Sequence, residues 1–485
     1  MTPDFTKQDI DYLIVGAGIP GLCAASHLKA SERGLSVSVV EFSGGPGGLY
    51  KSTFIEDLGM FVDFGMHVYY ESGVEEFDGF IRSALPESEW ITLEGNKKDL
   101  AGIYWRGLLR KQHPYPDFRN ESSLRRCDLI VRIIFASVRA KFSNSNPQTA
   151  RELSNFQFGK KIHETVIAPI LEKIYISESQ SLDKIALTTP ELRRIAVLNE
   201  RWTMALSFFK GLKARLAYPD QFTIPLKRSK VQSGWYPRKQ GFGQQVILPL
   251  ANKLKSEGVD LHFNTSVTSI EKFEDGFNIG LTELGQDERR IFAKRIVWCA
   301  PIFPLASLLK IEPLNAPNIN KPSVTRRKLF ASVLMSGNNN IDPIYYFYVY
   351  DAGFKTFRVT NYCAYSDDSQ IPEGHFLLGI EFWLDDQGTE EHEIIIGIEK
   401  EIKSFGISEN ANIVKIWLLP MLVLPPEPAR VSVDLISRIA SQISKAHDSR
   451  EFTLSGPFVR SNVFFLQDVL RDLKIELDET IRSRS

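Results

Sequence analysis

Residues 12–41 read YLIVGAGIPGLCAASHLKASERGLSVSVVE. The apolar stretch 12–15 predicts a strand, the glycine-rich stretch 16–21 predicts a tight turn, and residues 22–30 suit a helix. Residues 36–41 then alternate into a second strand rich in valine. Strand, turn, helix and strand in this order predict a βαβ unit, because parallel strands need a crossover helix that also covers the sheet.

The glycines of this turn have the spacing of a dinucleotide-binding motif. Gly16 permits the tight turn, Gly18 lets the backbone approach a pyrophosphate, and Gly21 allows close packing of the helix. The helix N-terminus, which includes Pro20, attracts the anion, and Glu41 would accept hydrogen bonds from a ribose diol. A glycine-rich turn that binds nothing is the alternative, but the order of strand, helix, strand and acid disfavours it.

A second glycine cluster follows in EFSGGPGGLYKS, residues 41–52. Gly47, Gly48 and Leu49 resemble a flavoprotein pattern in which paired glycines follow a ribose-binding glutamate. The backbone of these glycines lies close to the diphosphate of the cofactor. This resemblance implies FAD, and not NAD, as the cofactor. The alternative is a flexible surface loop.

Asp63, Gly65 and His67 in VDFGMHVYY, residues 62–70, resemble the D-x-G-x-H segment that runs beside the flavin in UDP-galactopyranose mutases and related oxidases. The resemblance implies that Gly65 and His67 border the cofactor and that His67 is a candidate catalytic residue. A structural hydrogen-bonding role for His67 is an equally weighted alternative. The mutases usually carry a second histidine where this chain has Tyr70, which weakens a direct mutase assignment.

Two later segments resemble the superfamily of FAD-dependent amine oxidases and protoporphyrinogen oxidases. Residues 236–243, YPRKQGFG, are similar to the segment before the helix with which the chain re-enters the FAD domain (the returning helix). Val267 stands where family members hold adenine through the backbone of a valine. Residues 295–301, RIVWCAP, resemble the last strand of the FAD domain in this superfamily. The resemblance implies that Ala300 also contacts the cofactor. An ordinary core valine is the alternative for Val267.

A third segment near the C-terminus takes the place of the second FAD motif of this superfamily. It reads GPFVRSNVFFLQD over residues 456–468. The resemblance implies that Arg460 approaches the pyrophosphate and that a helix beginning near Asp468 faces the flavin pyrimidine with its positive dipole end. A surface arginine is the alternative for Arg460.

The fold class predicted from these segments is α/β, with a Rossmann-type FAD-binding domain assembled from residues 1–76, 231–302 and 452–485. Residues 77–230 are predicted to form a mainly helical insertion, and residues 303–451 a β-rich part of a mixed α+β substrate domain. This division agrees with the two or three lobes expected for 485 residues.

Several single elements are also predicted from periodicity. Apolar residues at helical spacing predict a helix over 124–141. In the returning α/β part, residues 244–256 predict a helix, and residues 266–282 and 291–299 predict strands.

The sequence leaves three functions open. The first is a redox flavoenzyme that oxidises a small molecule by hydride transfer to flavin N5. The second is a non-redox enzyme that acts on a nucleotide sugar through reduced FAD, because KTFRVTNY, residues 355–362, resembles a mutase segment that would place Arg358 near an anionic substrate group. The third is a flavin-binding protein without catalysis. We rank the redox enzyme first.

Composition narrows the classes of partner and compartment. The formal net charge of −1 provides no global basic field, so nucleic acid is not expected as a partner. The four cysteines form no CxxC pair, so neither a metal site nor a disulfide framework is predicted, and a reducing cytoplasm is expected. No apolar run is long enough to predict a transmembrane segment. Peripheral membrane contact, the electron acceptor and the oligomeric state are left open.

Overall fold

The computed structural model describes residues 9–32, 34–188, 190–222, 233–273, 275–311, 327–367, 370–384, 389–407, 412–419, 429–448, 450–460 and 463–482. The chain divides into two compact units. Unit 1 consists of Met1–Thr92, Gly234–Lys321 and Asp434–Ser485, and unit 2 consists of Leu93–Ser233 and Pro322–Val433. The division expected from the sequence, with boundaries after residues 76, 230, 302 and 451, stays a prediction.

The strands are, in chain order, β1 (Asp9–Val15), β2 (Val37–Val40), β3 (Ser52–Ile55), β4 (Met60–Asp63), β5 (Tyr69–Tyr70), β6 (Trp90–Leu93), β7 (Ala101–Trp105), β8 (Leu108–Arg110), β9 (Gly234–Pro237), β10 (Val259–His262), β11 (Thr265–Phe273), β12 (Gly276–Glu283), β13 (Arg289–Trp298), β14 (Arg327–Ser336), β15 (Tyr346–Val349), β16 (Thr356–Asn361), β17 (His375–Leu384), β18 (Asn412–Leu419) and β19 (Phe452–Leu454).

The α-helices are α1 (Ile19–Ser31), α2 (Glu75–Arg82), α3 (Ser123–Lys141), α4 (Ala150–Phe158), α5 (Lys160–Ile162), α6 (Ala168–Tyr175), α7 (Glu200–Leu206), α8 (Lys210–Lys213), α9 (Leu248–Ser256), α10 (Ile302–Leu308), α11 (Glu391–Ser404), α12 (Arg430–Ala446) and α13 (Leu466–Arg482). Two π-helical turns, His163–Ile167 and Gly243–Ile247, lead into α6 and α9.

The main sheet of unit 1 has the strand order β10-β2-β1-β13-β12-β11, and β19 also pairs with β13. Strands β10, β2, β1, β13 and β19 pair in parallel, whereas β12 and β11 pair antiparallel. Tyr12, Leu13 and Ile14 of β1 are fully buried, as expected for a parallel strand that is covered on both faces. Helix α1 follows β1 directly and buries Leu22 and Leu28.

The main sheet of unit 2 has the order β18-β14-β17-β16-β15-β7-β8. Its neighbouring strands pair antiparallel, except that β15 and β7 are parallel. The face with Phe347 is apolar, and the Phe347 ring contacts the ring of Phe405, just after α11, at 5.8 Å between centroids. The opposite face carries polar side chains, among them Arg358 and Glu381.

The predicted fold class is confirmed, because unit 1 is an α/β unit assembled from separate segments and unit 2 combines a sheet with helices α3 to α8. The helix predicted over 124–141 is α3, and the helix predicted near Asp468 begins at Leu466. Within the described ranges, no helix is both long and apolar enough to cross a membrane.

Two predicted elements of unit 1 differ from the structure. The single strand predicted over 266–282 is wrong, because the chain reverses and forms the antiparallel pair β11 and β12. The Asp-Gly pair at residues 275–276 is a common turn signal and marks this reversal. The helix predicted over 244–256 begins one residue earlier, as a π-helical turn, and Pro249 lies in the first turn of α9. Pro249 thus lies within a continuous helical segment, directly after the π-helical turn, where the regular hydrogen-bond ladder is already interrupted.

Candidate functional site

The glycine-rich turn joins β1 to α1 at the carboxyl end of the parallel strands. Gly16 has a φ of +103°, a conformation that favours glycine, and its N–H donates to the carbonyl oxygen of Val40 over 2.8 Å. A Cβ atom on Gly21 would overlap the carbonyl oxygen of Gly16 and lie 3.1 Å from the carbonyl carbon. The packing of the protein itself therefore requires glycine at both positions.

Gly18 has a different environment from the two other glycines of the turn. It is the N-cap residue of α1, with φ −73° and ψ 176°, and no side chain caps this helix. A Cβ atom on Gly18 would meet only Pro20 Cδ at 3.8 Å and Gly48 Cα at 4.0 Å, which are ordinary van der Waals distances. The fold would thus accept alanine here, and glycine leaves an open approach to the N–H groups of the helix N-terminus, which attract anions.

The second glycine cluster lies directly against the first. The N–H of Gly47 donates to the carbonyl oxygen of Ala17 over 2.9 Å, and Gly47 forms an isolated bridge with Gly18. Gly47 and Gly48 have φ values of +127° and +56°, and the partly exposed Leu49 follows them. The open space beside Gly18 is therefore bordered by both clusters.

Glu41 follows the last residue of β2 at the same end of the sheet. Its Oε2 accepts the N–H of Ala17 over 2.9 Å, and its Oε1 accepts the N–H of Ser43 over 2.9 Å and the Ser43 hydroxyl. Lys51 donates to the Ser43 hydroxyl over 2.6 Å. Because an ionised carboxylate offers about four acceptor positions, Glu41 keeps capacity to accept a hydrogen bond from a ligand hydroxyl.

Val267 and Ala300 are brought to this end of the sheet by backbone contacts. The N–H of Thr265, in the strand of Val267, donates to the carbonyl oxygen of Glu41 over 2.9 Å, and an irregularity of β11 follows Val267. Ala300 lies against the turn, since a Cβ atom on Gly16 would be 3.1 Å from its nitrogen. The structure therefore gathers at one end of the sheet most of the predicted cofactor residues: Gly16, Gly18, Pro20, Gly21, Glu41, Gly47, Gly48, Leu49, Val267 and Ala300.

Gly65 and His67 follow β4 in the same unit. Gly65 is buried and has a φ of +106°. The imidazole of His67 contacts the ring of Tyr50, with centroids 5.1 Å apart, and Tyr50 ends the short turn that begins at Gly48. Burial raises the pKa of Tyr50, so its hydroxyl is protonated at neutral pH. His67 thus lies beside Tyr50, at the end of the second glycine cluster, and its role beside a flavin stays a prediction.

Asp63 received no role from the sequence beyond its place in the D-x-G-x-H segment. It is fully buried, and its carboxylate accepts the Tyr236 hydroxyl over 2.5 Å, the Ser52 hydroxyl over 2.6 Å and the N–H of Phe242 over 2.9 Å. Burial raises the pKa of Asp63 to about 6, although these hydrogen bonds lower it. Asp63 therefore ties the strand before His67 to the turn that begins the returning helix.

Arg460 and Asp468 contact residues of the C-terminal helix α13. Arg460 forms ion pairs with Asp472 and, over 2.8 Å, with Glu476. The carboxylate of Asp468 accepts the N–H of Phe465 over 3.3 Å at the start of α13. The Asp468 contact stabilises the start of α13, whereas the ion pairs of Arg460 lie further along the helix. The roles expected for Arg460 and Asp468 toward a pyrophosphate and a flavin pyrimidine stay predictions.

Arg358 lies on the polar face of the sheet in unit 2. Its Nε donates to Glu381, and the two residues are directly opposite on β16 and β17. Tyr348 lies opposite Arg358 on β15. Burial raises the pKa of Tyr348 to about 12, and that of Arg358 is raised by Glu381 in spite of burial. Tyr348 is thus protonated and Arg358 charged at neutral pH, and Glu381 balances the charge of Arg358 in the ion pair.

The same face carries buried hydroxyl groups that lack partners. Thr360 lies two residues after Arg358 on β16 and therefore on the same face of the sheet. Gly379 of β17 lies opposite Thr360 on one side and opposite Ser332 of β14 on the other, so Ser332 is on this face as well. Among the described residues, the hydroxyls of Ser332 and Thr360 have no hydrogen-bond partner. Buried polar atoms of this kind call for water or a ligand. Sequence reasoning missed Glu381, although a lone charge inside the apolar strand HFLLGIEFWL is a detectable signal.

Comparisons with known proteins bear on this arrangement. The family model of flavin-containing amine oxidoreductases matches residues 19–333. No curated protein matches the chain. Reduced UDP-galactopyranose mutase superposes with a TM-score of 0.71 at 17% identity, over 98% of this chain and 94% of that chain.

Two further solved structures are similar along nearly their whole length. A protein provisionally assigned as a protoporphyrinogen oxidase, from Exiguobacterium sp. 255-15, has a TM-score of 0.63 at 16% identity, over 98% of this chain and 99% of that one. A variant of putrescine oxidase with redesigned cofactor binding has a TM-score of 0.57 at 15% identity, over 98% and 99%. Such identities show a shared fold, whereas the family model covers well over half of the sequence. This chain therefore belongs to the family of flavin-containing amine oxidoreductases.

Proposed function

We propose that the protein is an FAD-dependent oxidoreductase that oxidises a small-molecule substrate by hydride transfer to the flavin. The observation that carries the proposal is Gly18, a glycine that the fold does not need and that opens an anion-binding helix end. The two glycine clusters and Glu41 favour FAD over a flavin mononucleotide. A mononucleotide has neither the second phosphate nor the adenosine ribose that these groups would bind.

The residues present fit such a cofactor. The first turn of α1, with Gly18, Gly47 and Gly48, would hold the diphosphate, and Glu41 would accept the ribose hydroxyls. When bound, FAD would supply the hydride acceptor at N5. The remaining proposed contacts to the cofactor come from Val267 for adenine, Ala300 and Gly16 at the strand ends, Gly65 and His67 beside the flavin ring, and Arg460 and Asp468 near α13.

The polar face of unit 2 is the proposed substrate-binding surface. Arg358 and Glu381 together have no net charge, and the neighbouring hydroxyl of Thr360 is free to bind a polar group. A neutral pair suits a neutral or singly charged small molecule better than a diphosphate, which needs uncompensated cations. This charge balance supports the redox reaction over the mutase reaction.

A non-redox reaction on a nucleotide sugar is the second candidate. It is favoured by the position of Arg358 between Tyr348 on β15 and Glu381 on β17, because a guanidinium has donors left after its Nε is used. Such donors and tyrosine rings suit a phosphate and a base or sugar. Tyr70, at the position of the second mutase histidine, argues against this candidate.

The first experiment is an absorption spectrum of the purified protein, with chromatographic identification of the extracted flavin. A panel of diamines and monoamines is then added without oxygen, and the oxidised flavin absorption is followed. In a parallel sample, UDP-galactopyranose is added before and after reduction with dithionite. Free FAD with the same additions serves as the control for reactions in solution.

Bleaching of the bound flavin by an amine, with no bleaching of free FAD, is the expected result. Conversion of the nucleotide sugar that appears only after dithionite reduction would replace the redox proposal by the mutase candidate. A protein that neither contains FAD nor takes it up would refute both, because each reaction needs the cofactor.

A further inference from the structure

Exposed apolar side chains concentrate in one part of unit 2. Among the described residues, twenty large apolar side chains are strongly exposed, and ten of them lie within residues 124–142 and 202–209. Single exposed apolar residues are normal on a protein surface, but a dense group marks a surface that binds something. These two segments are called here the apolar surface.

Helix α3 provides the larger part of the apolar surface. Leu124, Phe135 and Phe142 are 86%, 71% and 86% exposed. With 3.6 residues per turn, they form one stripe together with Val131 and Val138. The buried residues of the helix, Leu129, Ile133 and Ala136, lie on the opposite side. A helix that is apolar on both sides is normally buried on both sides, so the outer stripe needs a partner.

The second segment precedes helix α8, which neighbours α3. Trp202, Phe208 and Phe209, at and after α7, are exposed, and Phe208 is 86% exposed. Helix α8 follows and packs on α3, because a Cβ atom on Gly211 would overlap the Ser137 hydroxyl and lie 3.3 Å from the Ser137 Cβ. This approach places α8 against the buried Ser137 side of α3, so the second segment belongs to the same helical part of unit 2.

The apolar surface is strongly basic, although the whole chain is nearly neutral. Residues 124–142 contain five lysines and arginines against one acidic residue, whereas the whole chain has a net charge of −1. Arg125 also pairs with Glu121, and Arg132 pairs with Asp128. Arg125, Arg132 and Arg139 recur every seven residues along one flank of the stripe. The flank therefore carries a row of guanidinium groups next to exposed phenylalanine.

We propose that the apolar surface docks the protein on an anionic lipid bilayer, with α3 in the plane of the membrane. Phenylalanine, tryptophan and leucine would enter the boundary of the acyl chains, and the arginines and lysines would meet the anionic headgroups. A second copy of the chain is a poorer fit, because a twofold contact would bring together two copies of the same basic surface. Charge complementarity thus favours lipid.

The test is co-sedimentation of the full-length protein with vesicles of phosphatidylcholine, with or without phosphatidylglycerol. We expect binding to the vesicles that contain phosphatidylglycerol, and weaker binding at high salt. The double variant Phe135→Ser with Phe142→Ser should bind roughly tenfold or more weakly. Arg125→Gln with Arg139→Gln should lower binding to anionic vesicles and reduce its salt dependence.

Ile475→Ser is the matched control, because Ile475 is 57% exposed on α13, outside the apolar surface. The control should bind vesicles like the unaltered protein, and all variants should keep their thermal midpoint because the changed side chains are exposed. Absence of binding to anionic vesicles, or equal binding by the phenylalanine double variant, would overturn the proposal. A lipid-free dimer that this double variant dissociates would also overturn it, since the surface would then join two copies.

Discussion

Replacement of Gly18 by alanine separates the needs of the cofactor from those of the fold. The backbone at Gly18, with φ −73° and ψ 176°, is open to alanine, and the added Cβ would meet atoms no closer than 3.8 Å. Alanine lowers the conformational entropy of the unfolded chain, which stabilises the folded protein by about 0.4–1 kcal/mol. Alanine is also a poorer N-cap residue than glycine, and this costs a similar amount. We expect the free energy of unfolding to change by less than about 1 kcal/mol.

The affinity for flavin should respond differently. A methyl group at Gly18 would stand where the diphosphate approaches the helix end, and overpacking of a well-fitted contact costs about 1–3 kcal/mol. This corresponds to a dissociation constant that is roughly 5- to 150-fold higher. The assay is titration of flavin-free protein with FAD, followed by protein fluorescence, together with thermal midpoints of flavin-free protein.

Two further glycine variants complete the comparison. Gly21→Ala should lower both flavin affinity and stability, because its Cβ would overlap the carbonyl oxygen of Gly16. Gly79→Ala, in helix α2 with no atom within 4 Å of the new Cβ, should leave flavin affinity unchanged and stabilise the protein by up to about 1 kcal/mol. If Gly18→Ala binds FAD as tightly as Gly79→Ala does, the helix end does not hold the diphosphate and the cofactor assignment fails.

Three other outcomes are expected. Glu41→Gln should raise the dissociation constant for FAD by roughly tenfold or more, through loss of a charged acceptor, and unchanged affinity would remove Glu41 from the ribose site. Arg358→Met should destabilise the protein by about 3–5 kcal/mol by leaving Glu381 unpaired, whereas Arg358→Met with Glu381→Met should restore stability but not the Michaelis constant for substrate. Because the pKa of Asp63 is raised from 3.8 to about 6, its contribution to stability is complete below pH 3.8 and declines by about 3 kcal/mol as pH rises to about 6. Asp63→Asn should therefore gain stability relative to the unaltered protein between pH 4 and 6, as measured by thermal midpoints, and a constant difference across this range would contradict the shift.

The parts of the fold that sequence predicted best are those determined by neighbouring residues. The turn 16–21 and its flanking strand and helix depend on contacts over a few residues, and a Cβ overlap such as that at Gly21 explains the glycine spacing. The reversal between β11 and β12 was missed although the Asp-Gly turn signal at 275–276 is local. Apolar residues on both sides of the turn concealed it.

The parts of the site that sequence could not supply depend on residues far apart in the chain. Asp63 accepts hydrogen bonds from Tyr236 and Phe242, more than 170 residues later, and no local pattern reveals such partners. Arg358 was predicted to be an anion-binding cation, but its charge is balanced by Glu381, whose pairing follows from strand register. A resemblance identified the arginine, whereas only the sheet reveals its partner.

The basic apolar surface shows why average composition is a weak guide to peripheral partners. A net charge of −1 argues against a long-range field, but contact with a bilayer depends on charges within a Debye length of about 10 Å. Five lysines and arginines lie in residues 124–142 against one acidic residue, and of the acidic residues outside this segment Glu121 pairs with Arg125. Helical periodicity was equally ambiguous, since Ile133 is buried while Ile134 and Val138 are exposed. Burial, and not the pattern itself, distinguishes the side of α3 that belongs to the core from the side that we expect to contact lipid.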